Sequence, residues 1–538
     1  MKVDKLHIRS RFKNLQDVLV DFDEDNLMTI IVGLNGSGKS NVLEALVAIF
    51  RNLDLGESPP FSFELKYQLG EKNWVKWYEI VIDADPERGT LSKQYQVYVK
   101  NLHNGEDEPQ LIPISKVRRD KKTKRAEYLP NFLFAYYSGP SDRLEKYFRK
   151  HRDDYYRELL YNKLDLKADI RPLFYAKPLH SQFVLMAFFL SPDFEKERAF
   201  LKEHLGIESL DSIHFVLRRP AWEKDKNDAF WGADGVVRDF IELLYPHALA
   251  PVKVHRNEDT TLTGKKRKND FIHVFLPSVN CLYELTKELG NNPASVFFKM
   301  LESTVLSEII SEVHVRVKVT YSKQPITFSE LSEGEQQLLT VLGLLKFTGG
   351  KDSLFLLDEP DTHLNPSWAI KYLKFLRDFV PNHDTSHLLM VTHHPLAIAE
   401  LKKQQVQVMW KDDDYNVHSR EPYVDPRGIG FMSTLTEIFG LNTTLDLETQ
   451  KLVDDRNSLA HLQQRSSEQD DELTMLNDQL NRLGFSVENR EPLYNEFLLA
   501  WKDLRYADKP PLTPDQAEKR REAMKNVIAN LIAKDDKI

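Results

Sequence analysis

The 538-residue chain is 41% hydrophobic and 29% charged, the balance of an ordinary globular protein, and its length calls for two or three domains. No apolar run approaches the roughly 20 residues that span a bilayer, and the opening MKVDKLHIRSRF lacks the apolar stretch of an export signal, so no membrane contact and a cytoplasmic location are expected. One cysteine, Cys281, excludes an internal disulfide framework, and a net charge of −9 argues against indiscriminate nucleic-acid binding while leaving local basic patches open.

In chain order, KLHIRS, VLVDF and MTIIVG read as short strands, followed by a helix from about Gly38 to Phe50. FSFELKYQL, WVKWYEIVI and KQYQVYVKNL then suggest an antiparallel sheet with one covered face. FLFAYYSG (132–139) is a further apolar strand ending in a Gly-Pro turn. From about 145 to 312 the text reads as a helical insertion without sustained heptads. VHVRVKVTY (313–321) alternates with period two and returns the chain to a sheet, and SLFLLDEP, HLLMVTHHP and VQVMW read as buried strands. The expected domains are thus 1–144, 145–312, 313–430 and 431–538. In the last, Leu445, Leu452, Leu459, Leu473 and Leu480 keep a seven-residue register, with Leu462, Leu476 and Leu483 in the complementary positions and Gln469 as a polar break. That is a five-heptad seam, serving either an amphipathic helix or helical hairpin packed on its own chain or an intermolecular coiled coil.

GLNGSGKS (33–40) matches the phosphate-loop pattern, set between a strand and an amphipathic helix as that motif requires. Glycines let successive backbone N–H groups of Asn35, Gly36, Ser37 and Gly38 converge on a phosphate, and the helix N-terminus adds its dipole. Lys39 is expected to bridge the terminal phosphates of ATP, and the Ser40 hydroxyl to ligate Mg²⁺. LFLLDEP puts Asp358 and Glu359 at the carboxyl end of a buried strand, where open α/β sheets bind ligands. Asp358 would hold Mg²⁺ and Glu359 would polarise the attacking water, since phosphoryl transfer needs positioning and charge neutralisation above all. VTHHP (391–395) offers His393 as the group that senses the γ-phosphate, with His394 as the competing choice. His383 and His387 lack cysteine or carboxylate partners at ligand spacing and read as a solvated loop.

GLNGSGKSN, LSEGEQQ (331–337), LFLLDEP, DTHLNP and VTHHP occur in an order that resembles the ATPase heads of the ABC superfamily, particularly the SMC and overcoming-lysogenisation-defect branches. The resemblance implies an α/β ABC-type ATPase head, a phosphate-loop sheet plus an antiparallel β subdomain, carrying a helical insertion and a helical C-terminal extension. It implies that Ser332 and Gly334 of the signature segment touch the ATP held by another subunit's phosphate loop, so that two chains paired head to tail complete two sites. It adds Asn41, Glu335 and Asp361 to the nucleotide-binding set and places a coupling loop in the turn holding Ser138 and Asp142. Glu333 stands where the family usually has a second glycine. LSEGEQQ also reads as a capped helix start, Ser332 with Glu335 three residues on, which is compatible with that role.

The compact insertion, the YYSGPSDR turn and the C-terminal extension look more particularly like the PtuA-type ATPases of Septu and retron-linked anti-phage systems. That family implies a cytoplasmic complex with an HNH-type nuclease, and in retron versions with a reverse transcriptase carrying RNA–DNA; assembly beyond a dimer is compatible with it. The alternatives are an SMC-like DNA-repair ATPase, which predicts a long heptad insertion, and an ATPase–nuclease of the overcoming-lysogenisation-defect type. The second needs a metal-binding acidic cluster, for which the DDD run at 412–414 sits in an apparent turn. Two basic clusters, 116–125 and 264–268, are candidate nucleic-acid contacts or solvated loops.

Overall fold

The computed structural model describes residues 1–484 except 104–107, 121–124, 161–170, 191–193, 226, 260–265, 291–292, 442, 444, 461 and 463–464, and beyond 484 only residue 523. Two units separate, Met1–Leu441 and Asn442–Ile538.

A seven-stranded sheet organises the first unit. Its order across the sheet is Val417–Arg420, Val406–Lys411, Met28–Gly33, Ser386–Val391, Ser353–Asp358, Phe132–Tyr137 and Leu173–Tyr175. All neighbours run parallel except the first pair, which is an antiparallel hairpin. The three middle strands are buried along their whole length, and this explains their unbroken apolar text. Successive side chains serve opposite faces. Ile31, Leu354, Leu356, Leu389 and Val391 pack with Val42, Leu46 and Ile49 of the helix Lys39–Leu55 and with a second sheet. Ile30, Val32, Phe355, Leu357 and Met390 pack on the other side with the helices Glu333–Thr348 and Pro366–Phe379.

The second sheet has six antiparallel strands in the order Val18–Asp21, Lys2–Ile8, Phe63–Leu69, Tyr78–Ala84, Tyr95–Asn101 and Gln110–Ile112. Together the two sheets give the α/β head anticipated from the motif order, with its antiparallel subdomain.

The insertion is not simply helical. It holds the helices Glu145–Leu160, His180–Phe188, Glu195–Leu205, Gly235–Leu244 and Pro293–Leu306, but also the strands Ile207–Arg218, Val252–Asp259 and Lys266–Leu276. With Ile310–Val319 and Ile326–Thr327 these form a five-stranded antiparallel sheet. Register shifts after Ile207 and Leu210 break the alternation along the longest strand, so its pattern does not read as period two. The stretch VHVRVKVTY accordingly returns the chain to this inserted sheet, and not to the parallel one.

Among its described residues the second unit holds the helices Leu447–Ala460 and Ser467–Arg482, packed on each other. The heptad seam is cut between them, so it does not form one rod. Ser466 accepts from Gln469 N at 3.3 Å while Gln469 Oε1 accepts from Ser466 N at 3.0 Å, a capping box that starts a new helix where the leucine register continues. Leu480 is buried, whereas Leu462 and Leu483 are exposed.

Candidate functional site

The strand Met28–Gly33 delivers the loop 34–38, and the helix Lys39–Leu55 starts directly after it. Gly38 caps that helix at φ 96°, a backbone state that a β-carbon disfavours. Leu34, Asn35 and Gly36 are exposed, and Ser37, Gly38 and Lys39 are buried. Lys39 Nζ donates to the carbonyls of Gly33 and Leu34, both at 2.9 Å. Burial pulls its pKa down to about 8, against the opposing pull of Glu359 and Asp358. Asn14, in the loop after the first strand, braces the motif: it donates to Gly36 O at 3.1 Å and accepts from Asn41 Nδ2 at 2.6 Å.

Ser40 Oγ donates to Asp358 Oδ1 at 2.8 Å, joining positions 318 residues apart in sequence. The other oxygen, Asp358 Oδ2, is buried without a hydrogen-bond partner, as is Ser37 Oγ. Burial pushes the Asp358 carboxyl up to about 6. Buried polar groups are normally satisfied, and an acceptor beside a hydroxyl, at the start of a helix that follows a glycine-rich loop, suits a divalent cation and a phosphate. These residues therefore fit Mg²⁺ and a nucleotide.

Glu359 has a left-handed backbone, φ 53°. Its N–H donates to Val391 O at 2.9 Å, and its Oε1 lies 2.9 Å from His393 Nε2. The hydrogen bond from His393 holds the Glu359 carboxyl below its usual range. Of the two candidate histidines, His393 is the one that meets Glu359. His394 N donates to Thr392 Oγ1 at 2.8 Å, and burial lowers the pKa of its ring. Asp361 is buried and accepts from Thr392 Oγ1 at 2.7 Å, with its pKa raised by burial to about 6. It is placed to shape the loop after Glu359.

The signature segment begins the helix Glu333–Thr348. Ser332 caps it, with Glu335 Oε2 accepting from Ser332 N and Oγ at 2.7 Å each. Gly334 is pressed onto the loop 361–364: an added β-carbon would lie 2.5 Å from His363 O. Gln337 clamps the same contact, donating to Glu359 O at 3.4 Å and accepting from His363 N at 3.2 Å. Ser332 and Glu333 are exposed, and among the described residues no hydrogen bond or ion pair connects Ser332, Gly334 or Glu335 to residues 33–41. The structure thus gathers residues 35–41, 358, 359, 361 and 393 into one cradle and ties the signature to its carboxylate side only.

Several supporting residues escaped the sequence reading. Asn14 has no motif of its own; Gln337 and Arg143 were visible only as the ends of LSEGEQQ and YYSGPSDR. Arg143 Nη2 donates to Asn41 Oδ1 at 2.5 Å. His387, read as part of a solvated loop, is fully buried on a central strand, accepting from Val3 N at 3.0 Å with Thr29 Oγ1 at 3.2 Å from its other nitrogen. His383 bonds Arg377 O at 2.8 Å. Asp412 is occupied within its hairpin by Asn416 and His418. Residues 121–124 and 264–265 of the basic clusters lie outside the described residues, and Lys266, Arg267 and Lys268 stand in register opposite Asp259, Glu258 and Asn257.

Two family models match the chain. One, described as "AAA ATPase domain", matches residues 1–170, and the other, described as "AAA domain, putative AbiEii toxin, Type IV TA system", matches residues 282–399. Both descriptions name an AAA domain, and parts of the chain are similar to the Septu PtuA proteins. The Septu protein PtuA of Bacillus mycoides (strain KBAB4) is 23% identical over 227 residues, which are 40% of this chain and 31% of that protein. The Bacillus thuringiensis PtuA is 26% identical over 195 residues, 33% of this chain and 48% of that one. The chain therefore spans less than half the length of these curated relatives. An SMC head solved with the C-terminal winged-helix domain of ScpA aligns with 78% of this chain and 98% of its own at 12% identity and a TM-score of 0.33. Stu0660 of Streptococcus thermophilus aligns with 92% and 99% at 10% identity and 0.26. No described helix is long and apolar enough to cross a membrane.

Proposed function

We propose that the chain is a slow ATPase switch whose ATP, held with Mg²⁺, joins two copies head to tail. Ser37, Gly38 and Lys39 hold the phosphates; Ser40 and Asp358 hold the metal, which supplies charge neutralisation at the phosphates. Glu359 orients the attacking water and accepts its proton, and His393 fixes the Glu359 carboxylate. Ser332, Gly334 and Glu335 face the nucleotide of the other copy. The observation that carries this reading is the exposed signature start, whose segment is bonded through Gln337 to the carboxylate loop of its own chain and, among the described residues, not to its own phosphate loop. In the sense implied by the PtuA resemblance, the dimer or a higher assembly regulates an HNH-type nuclease in an anti-phage complex, alone or with a reverse transcriptase and its RNA–DNA. The unit from Asn442 serves as partner-binding extension.

The test is Glu359→Gln, which keeps phosphate and metal contacts while removing the water-activating carboxylate. Turnover should fall by about a hundredfold or more, and light scattering with Mg-ATP should show a doubled mass that the wild type reaches only transiently. A variant that stays at the mass of one chain under saturating ATP would overturn the head-to-tail reading.

A further inference from the structure

The insertion holds a cavity of about 90 Å³ that shares no residue with the nucleotide cradle. Its walls come from the helix Glu145–Leu160, the segment 171–179, and the helices His180–Phe188 and Pro293–Leu306. Phe148, Tyr175, Leu179, Val305 and Leu306 make one side of the lining apolar. Arg152, Arg171, Lys177 and His180 make the other side polar, together with Glu145 and Glu302.

Arg171 is buried at this cavity, 9% exposed. Its Nη2 pairs with Glu302, which is also buried, and its guanidinium lies 5.3 and 5.4 Å from the ring centres of Tyr155 and Phe174. Among the described residues its Nε finds no hydrogen-bond partner. A buried donor on a charged group is costly to leave unpaired, so this nitrogen favours an incoming acceptor. His180 supplies a second donor. Its Nδ1 accepts from Lys177 N at 2.9 Å, which puts the proton of the neutral ring on Nε2.

The charges leave a remainder. Arg152 and Lys177 share one carboxylate oxygen, Glu145 Oε1, at 3.0 and 2.7 Å, while Arg171 and Glu302 neutralise each other. Three cations thus line the cavity with two carboxylates. Asp153, 3.8 Å from Arg152 Nε, is more than half exposed and outside the lining, where water screens it. A phosphate would bring nearly two charges and need a polar shell on every side, which the apolar wall does not give. A carboxylate brings one charge, equal to the excess, and an alkyl body suits the apolar side. An apolar cavity of about 150 Å³ holds benzene, so this smaller one suits an acid of about four carbons.

We propose that this cavity is a binding site for a small aliphatic monocarboxylate, its carboxylate against Arg171 and His180 and its alkyl body against Phe148, Leu179 and Val305. Bound there, the acid touches four segments of the insertion and stabilises the folded chain by mass action. The site stands independently of the phosphate-loop reading.

The experiment titrates the full chain, without nucleotide and at constant ionic strength, by calorimetry and by thermal midpoint. The probes are butyrate, its neutral isostere butyramide, and formate, which lacks the alkyl body. Butyrate should bind one site with a Kd on the order of 1 mM or tighter and raise the midpoint saturably. Butyramide and formate should each bind about tenfold more weakly or worse, the first for want of charge and the second for want of apolar contact. Arg171→Lys keeps a cation for Glu302 but loses the Nε donor, and should weaken butyrate by about tenfold. Val305→Phe fills the cavity with every polar group left in place, and should abolish binding. Either variant serves where the other does not fold. Butyramide or formate binding as tightly as butyrate would overturn the proposal, and so would wild-type affinity for butyrate in either folded variant. A wild type that does not bind butyrate would show a cavity for water only, and the proposal would fall.

Discussion

The phosphate loop and the signature segment sit at opposite extremes of satisfaction. At the loop, buried groups are left waiting: Asp358 Oδ2 and Ser37 Oγ have no partner, and Lys39 is folded onto the carbonyls of its own loop. At the signature, the groups are already occupied: exposed Ser332 and half-buried Glu335 cap one another. The lesson is that the first region gains outright from a ligand, because an unpaired buried acceptor is costly. On the proposed reading the second must exchange one set of hydrogen bonds for another, so its engagement would be close to neutral and easily reversed. The proposed switch would pair a firm half-site with a loose one.

The comparison can be broken most forcefully at Lys39. Lys39→Ala should weaken nucleotide binding by about a hundredfold or more, because the only cation rising from the loop itself is lost where phosphate charge is concentrated; calorimetry that finds wild-type affinity would remove the phosphate-loop half. A second contrast lies in pH. His180 is buried among Phe174, Phe183 and Phe298, and burial, with Arg171 and Lys177 nearby, holds its pKa down to about 3. Below about pH 6.5 the unfolded chain binds a proton there that the folded chain refuses, so stability falls as pH drops, by about 1.4 kcal/mol per unit until the folded pKa is reached. Urea midpoints at pH 7.5 and 5.5 should differ less for His180→Gln than for the wild type; an equal difference would count against a buried neutral imidazole. The smallest effect belongs to the signature. Ser332→Ala should cost about 1 kcal/mol of stability through the lost cap, read as a modest drop in thermal midpoint, yet it should abolish the ATP-dependent doubling of mass in the Glu359→Gln background. Intact doubling would show that Ser332 is a cap alone.

Much of the head was legible because its signals are local. A buried parallel strand is a continuous apolar run, a phosphate loop is a contiguous glycine pattern, and Ser332 with Glu335 spells a capping box in four letters. The insertion was harder, since β-bulges in Ile207–Arg218 erase the period-two text that a strand would otherwise carry. The leucine seam left a helical hairpin and a coiled coil both open for a related reason: heptad spacing survives across the break at Ser466, where Gln469 is a capping partner and not a polar core position. His387 looked solvated because its neighbours Asn382 and Asp384 are turn formers, yet the strand starts at Ser386 and carries it inside.

The sequence by itself determined which side chains are proposed to bear phosphate and metal chemistry, because each motif places its polar groups within a few residues on one element. Only the tertiary structure decided that Ser40 meets Asp358, that His393 and not His394 meets Glu359, and that Arg143 reaches Asn41. Those choices depend on the parallel order of strands far apart in the chain and on which way a loop leaves its strand, and no short-range pattern encodes either.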